Sequence, residues 1–301
     1  MNRKTLFSFR SVLPAIFALC VASAVFGQAA KSDLANSLSA KNETGTFSLK
    51  SSLLGREVSY RVVFPADYKK NSAKRYPVIY LLHGLFGHFD NWTDKTRLAE
   101  YAAPFNFIIV TPEGGDGWYT DSVSTPNDKY ESYLIRELIP EVEKKFRIDG
   151  DRSRRLIAGL SMGGYGAIKF GLKYREMFSI VGSFSGALDS PLRGQNDKNL
   201  RPSILSVFGA EDNPARKAND VFSLLRAVSS DDLKSLPYIY LACGTEDFLF
   251  QPNRDFDALL IEKKVPHEYR ELPGTHTWDF WDAQVQEFLR AANHRTNMPV
   301  K

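Results

Sequence analysis

Cysteine is nearly absent. The 301-residue chain has two, Cys20 and Cys243. Cys20 falls in an N-terminal stretch that reads as a removable leader. A mature chain would keep one thiol and form no internal disulfide, so core packing must hold it together. Long apolar runs are also missing: beyond the first 27 residues nothing is long and apolar enough to span a bilayer. Charge of one sign is scarce too. Lys and Arg number 39 against 35 Asp and Glu, a formal +4. Arg3, Lys4 and Arg10 belong to the leader, and removing these three from +4 leaves +1. A near-neutral body carries no nucleic-acid footprint and no polybasic membrane patch. The chain has no internal repeat, no low-complexity tract and no cluster with metal-ligand spacing, so the expectation is no cofactor and no metal.

What remains is ordinary globular composition, 43% hydrophobic and 25% charged, which excludes wholesale disorder. Residues 1–27 have a basic start, an apolar, small-residue-rich run from Ser11 to Phe26, and a permissible cleavage site at Val25-Phe26-Gly27 before Gln28. The run contains Pro14 and is short for a membrane span. The expected protein is therefore secreted or periplasmic, with no stable membrane insertion after cleavage. Residues 28–45 are polar and read as a flexible lead-in, 46–293 as the main domain and 294–301 as a C-terminal tail. Nothing in the sequence fixes the oligomeric state.

Strand and helix patterns alternate through the main domain. Val58–Phe64 is rich in β-formers. Val78–Leu82 and Phe107–Val110 are continuous apolar runs, each closed by a turn signal, as expected for strands covered on both faces of a parallel sheet. Tyr130, Leu134, Leu138, Val142 and Phe146 recur every four residues, with Pro140 predicting a kink or break. Strands follow at Leu156–Ala158 and Ile180–Phe184, with a helix at Gly164–Tyr174 between them. Residues 186–235 are polar, carry Pro191, Pro202 and Pro214, and read as an insertion or cap. A strand at Tyr238–Cys243, a helix near Arg254–Lys264, a strand at His267–Leu272 and a helix at Trp278–Ala292 complete a three-layer α/β/α sandwich.

Gly159-Leu160-Ser161-Met162-Gly163 matches G-x-S-x-G between a strand and a helix, the context that lets a serine sit on a strained turn with its hydroxyl exposed. A serine needs a base. Of the five histidines, His276 lies in a loop between the last strand and the last helix, on the far side of the nucleophile. A carboxylate must fix the imidazole tautomer. The strand ending at Cys243-Gly244 runs into Glu246 and Asp247; Asp247 is the first choice and Glu246 stays open. An oxyanion hole needs two N–H donors. Met162, directly after the nucleophile, supplies one. Leu85, in the Gly-containing turn His83–Gly87, supplies the other.

Four ordered motifs carry a resemblance. They are Tyr76–Gly84, Gly159–Ala167, Cys243–Leu249 and Gly274–Trp281, with the order Ser161, Asp247, His276 along the chain. The chain resembles the esterase D / putative esterase family of α/β hydrolases over about residues 47–292. That family includes S-formylglutathione hydrolases, feruloyl and acetyl xylan esterases, tributyrin-type esterases and mycolyltransferases. Its pattern places the acid at Asp247. It usually has a second glycine where Thr275 stands, a departure that does not touch the base. The resemblance implies a serine carboxylic-ester hydrolase without cofactor, acting on acetyl or feruloyl esters of carbohydrates or on small short-chain esters. Acyl transfer to a sugar hydroxyl, a glutathione thioesterase and a non-catalytic carbohydrate-binding protein are the rival readings. Trp92, Trp118 and Tyr119, in loops after buried strands, are candidate substrate contacts.

Overall fold

The computed structural model describes residues 42–192 and 198–297. The expected leader (1–27), all but the last few residues of the lead-in, and residues 298–301 of the tail lie outside these. Eight strands form one sheet among the described residues, in the order β1-β2-β4-β3-β5-β6-β7-β8. The strands are β1 (Thr44–Ser51), β2 (Arg56–Val63), β3 (Val78–Leu82), β4 (Ile108–Pro112), β5 (Arg155–Leu160), β6 (Ile180–Phe184), β7 (Tyr238–Gly244) and β8 (His267–Leu272). β1, β2 and β4 pair antiparallel, and every junction from β4 to β8 is parallel.

The apolar runs follow from burial on both faces. Val78, Tyr80 and Leu82 of β3 join one core with the helix Met162–Lys173. Ile79 and Leu81 join the other core with Val285, Phe288 and Leu289 of the last helix, Trp278–Thr296. Period-2 alternation thus feeds two cores, and no position of β3 is free to be polar. β4 lies on one side of β3 and β5 on the other, so the chain reverses its direction of travel across the sheet at β3. The crevice beyond the carboxyl ends of β3 and β5 is where open α/β sheets place their ligands.

Several expectations need correcting. β1 begins at Thr44, inside the segment read as lead-in, and the last helix continues through His294 to Thr296, into the segment read as tail. The interruption expected at Pro140 is a π turn: Leu134–Leu138 separates the α-helices Tyr130–Tyr133 and Ile139–Lys145, and Pro140 stands just after it, where the wider turn accommodates its missing N–H. Among its described residues, the segment read as a cap holds three short α-helices, Arg201–Phe208, Pro214–Ala218 and Val221–Ala227. Asn213 and Asp220 cap the latter two through their side chains.

Candidate active site

Ser161 stands between β5 and the helix Met162–Lys173, with φ +51°. The glycines around it are required by space. A Cβ at Gly159 would come within 2.5 Å of the Gly163 backbone, and one at Gly163 within 2.6 Å of the Leu82 and His83 carbonyls. The left-handed serine is pinned by its own backbone: its N–H donates to Phe184 O, and its C=O accepts from Tyr165 and Ala187.

His276 reaches this hydroxyl from the loop after β8. Its Nε2 lies 3.0 Å from Ser161 Oγ. Its Nδ1 lies 2.9 Å from Oδ2 and 3.1 Å from Oδ1 of Asp247, which follows β7. The carboxylate holds the ring proton on Nδ1, so Nε2 presents its lone pair to the serine. Asp247 is buried and also accepts from the Leu249 amide at 2.8 Å. Burial alone would raise its pKa, but the bond from His276, the Leu249 amide and the imidazole charge outweigh it and hold the carboxyl below its ordinary range. Trp281 meets the imidazole edge-on with centroids 4.8 Å apart, and Phe248 lies 4.5 Å from it at a tilt.

Glu246, left open by the sequence, faces elsewhere. It is exposed, and its carboxylate accepts from Gly274 N–H at 2.6 Å while its own amide donates to Gly274 O. It therefore ties the loop bearing His276 to the end of β7. Residue type alone does not separate the two neighbouring acids; the turn after β7 does, in favour of Asp247.

The turn after β3 sits against the nucleophile: a Cβ at Gly84 would come within 3.4 Å of Ser161 Cβ and collide with Leu160. Its amides sort themselves. Phe86 donates to Asp116 Oδ1 at 2.7 Å, Gly87 to Gly84 O and His88 to Asn91 Oδ1. Among the described residues the amides of Leu85 and Met162 have no acceptor. His83 is buried and takes the Gly114 N–H on Nε2, which leaves Nδ1 to donate to Gly84 O.

Two of the three candidate substrate contacts have other work. Trp92 is fully buried and donates from Nε1 to Leu82 O at 2.9 Å. Tyr119 is buried and donates from Oη to His83 O at 3.1 Å. Both brace the end of β3, because their rings point into the core rather than towards the crevice. Trp118 does line the site. A cavity of about 400 Å³ opens at Ser161 and His276, with walls that include Leu85, Phe86, Trp118, Phe248, Trp278 and Trp281. Sequence reasoning passed over Phe86 and Phe248, whose chain neighbours had drawn attention instead. Behind the site, buried Lys169 of the nucleophile helix donates to Tyr119 O, Thr120 Oγ1 and Glu131 Oε2. No group of three or more His, Cys, Asp or Glu among the described residues could hold a metal ion.

Comparison with known proteins bears on the family and the fold. The family described as "Putative esterase" matches residues 51–292. An acetyl esterase of Caldicellulosiruptor saccharolyticus is 30% identical over 247 residues, covering 78% of this chain and 92% of that protein. An esterase of Mycobacterium tuberculosis is also 30% identical, but the chain spans only 55% of its length. Among solved structures, a ferulic acid esterase superposes with TM-score 0.75 at 29% identity, covering 85% of this chain and 99% of that one. An S-formylglutathione hydrolase from Staphylococcus aureus superposes with TM-score 0.71 at 26% identity, covering 86% and 100%.

Proposed function

The chain belongs to the Putative esterase family and has the α/β-hydrolase fold, and on that premise we propose that it is a serine carboxylic-ester hydrolase working through Ser161, His276 and Asp247. The continuous hydrogen-bonded path from Ser161 Oγ through the imidazole to the buried carboxylate carries this reading. Ser161 Oγ attacks the ester carbonyl carbon as His276 Nε2 takes its proton, and Asp247 stabilises the resulting imidazolium. The carbonyl oxygen becomes an oxyanion and accepts from the Leu85 and Met162 amides. The C–O bond then breaks, and His276 returns its proton to the leaving alcohol. Water attacks the acyl-enzyme with His276 again as base, releasing the acid and restoring Ser161.

For substrate we propose acetyl or feruloyl esters of carbohydrates, or small short-chain esters. The kinship with an acetyl esterase and a ferulic acid esterase supports this, as does the aromatic lining with Trp118. We also propose that residues 1–27 direct export and are removed, leaving the domain from β1 to the last helix, residues 44–296, as the catalytic part. An exported chain whose mass does not begin at Gln28 or close to it would contradict that. The decisive experiment on the activity is fluorophosphonate labelling with turnover of 4-nitrophenyl acetate. Wild type should label at Ser161 and hydrolyse the ester. Ser161→Ala should do neither while melting as wild type does. Retention of the wild-type rate by the variant would overturn the assignment. Products formed with an acceptor sugar present separate hydrolysis from acyl transfer.

A further inference from the structure

The two most exposed large apolar side chains among the described residues are Phe86, 71% exposed, and Phe248, 64% exposed. Both line the cavity that holds Ser161 and His276. Phe86 belongs to the turn whose next amide back is the Leu85 donor, and Phe248 directly follows Asp247. An aromatic ring left in water at one of these points could be incidental; two on the rim of one cavity are not a packing remainder.

Phe86 carries a second mark. Its φ is +59°, a left-handed conformation that a bulky residue adopts at a cost and that glycine adopts freely. The Asp116 carboxylate holds its amide in that pose. The fold therefore maintains a strained backbone whose side chain gains almost no burial in return. Strain of this kind persists where the side chain is needed in a place that packing does not explain. Phe248 has one face towards the His276 ring and most of its surface open. Among the described residues no carboxylate lines the cavity, whereas Lys95 does.

We propose that Phe86 and Phe248 are specificity-determining residues, the apolar faces that take up a flat ring of the ester, whether an aryl group or a sugar ring. The inference rests on the esterase reading and adds to it the feature by which substrate is chosen. Rings stack on aromatic faces with a gain worth roughly tenfold in binding. The sequestered ring then holds the ester against Ser161, so the effect should fall mainly on KM.

The test measures kcat/KM by pH-stat for matched pairs. Methyl 3-phenylpropanoate against methyl propanoate places the ring on the acyl side. Benzyl acetate, and an acetylated methyl xyloside, against ethyl acetate place it on the alcohol side, as aryl or as sugar. Wild type should favour the ring-bearing member of at least one pair. Phe86→Ala and Phe248→Ala should each cut that preference about tenfold through KM, and Phe86→Trp should restore it. Phe86→Gly should lose the preference while melting at or above the wild-type temperature, because it relieves the left-handed strain. Ile261→Ser, an exposed apolar side chain on the helix Phe250–Glu262, serves as the control and should move no ratio. Unchanged ratios in the alanine variants, or no ring preference in wild type, would overturn the proposal. A Phe86→Gly variant that melts lower and keeps its ratios would make Phe86 structural and overturn it as well. Fluorophosphonate labelling of each variant reads the triad separately. A wild-type protein that fails to label counts against the esterase reading, not against the ring.

Discussion

The carboxyl-end loops and the antiparallel flank are built from the same kind of chain under different demands. In the flank, β1 and β2 pair over eight consecutive residues, and the turn between them takes its left-handed residue as Gly55. In the loops around the site, beside the glycines Gly115 and Gly274, the left-handed residues include the non-glycines Phe86, Trp118, Tyr119 and Ser161, with Ser185 just past β6. The remaining non-glycine case among the described residues is Lys264, just past the end of a helix, where such a residue commonly terminates one. Where the chain only has to turn, glycine does it. Where a hydroxyl or a ring must stand at a given point, the backbone accepts strain and the surrounding bonds enforce it.

Asp247→Asn should have the largest effect. It keeps the shape but leaves the imidazole without the charge that fixes its tautomer, and kcat should fall roughly 10⁴-fold. Glu246→Gln, one residue away, should cost about tenfold at most, since its role is to tether the Gly274 loop. Steady-state kinetics on the two variants separate the neighbours; equal losses would erase the distinction drawn here. Trp92→Ala comes next. It should cost about 3–5 kcal/mol of stability by chemical denaturation and also lower kcat, because the end of β3 loses its Leu82 brace.

The buried Lys169–Glu131 pair then sharpens the contrast through pH. Burial would raise the Glu131 pKa, but Lys169 and Lys173 override it and hold it at about 2 against an ordinary 4.5. The folded-state value is depressed, so the stability it contributes is complete above 4.5 and is lost as pH falls from 4.5 towards 2. Thermal melts across that interval should show the loss in wild type and a flatter profile in Glu131→Gln. Gly55→Ala should have the smallest effect: about 1 kcal/mol of stability lost with kinetics unchanged. Its counterpart in the site loops, Phe86→Gly, is expected to keep or gain stability while losing the ring preference.

Much of this was legible beforehand for physical reasons. Strands β3 to β7 announce themselves because the two cores claim most of their residues, alternately. β1, with the sequence Thr-Gly-Thr-Phe-Ser-Leu-Lys-Ser and mostly half-exposed positions, does not. The helices within 186–235 are five to eight residues long, too short for a periodic signal. Ser161 and His276 could be chosen because motif and loop position limit where a nucleophile and base can meet. Trp92 and Tyr119 were misread because a sequence shows that an aromatic follows a strand but not which way its ring turns. Phe86 and Phe248 went unread because exposure is invisible until the loops are in place.

Ser161 and His276 stand 115 positions apart in the chain, and the base follows the edge strand β8, the last to be added to the sheet. Local structure alone cannot bring them together; their meeting waits on closure of a long stretch of chain. In a refolding experiment, recovered turnover should therefore lag the return of helical signal. The enzyme carries its own clock for the completion of folding.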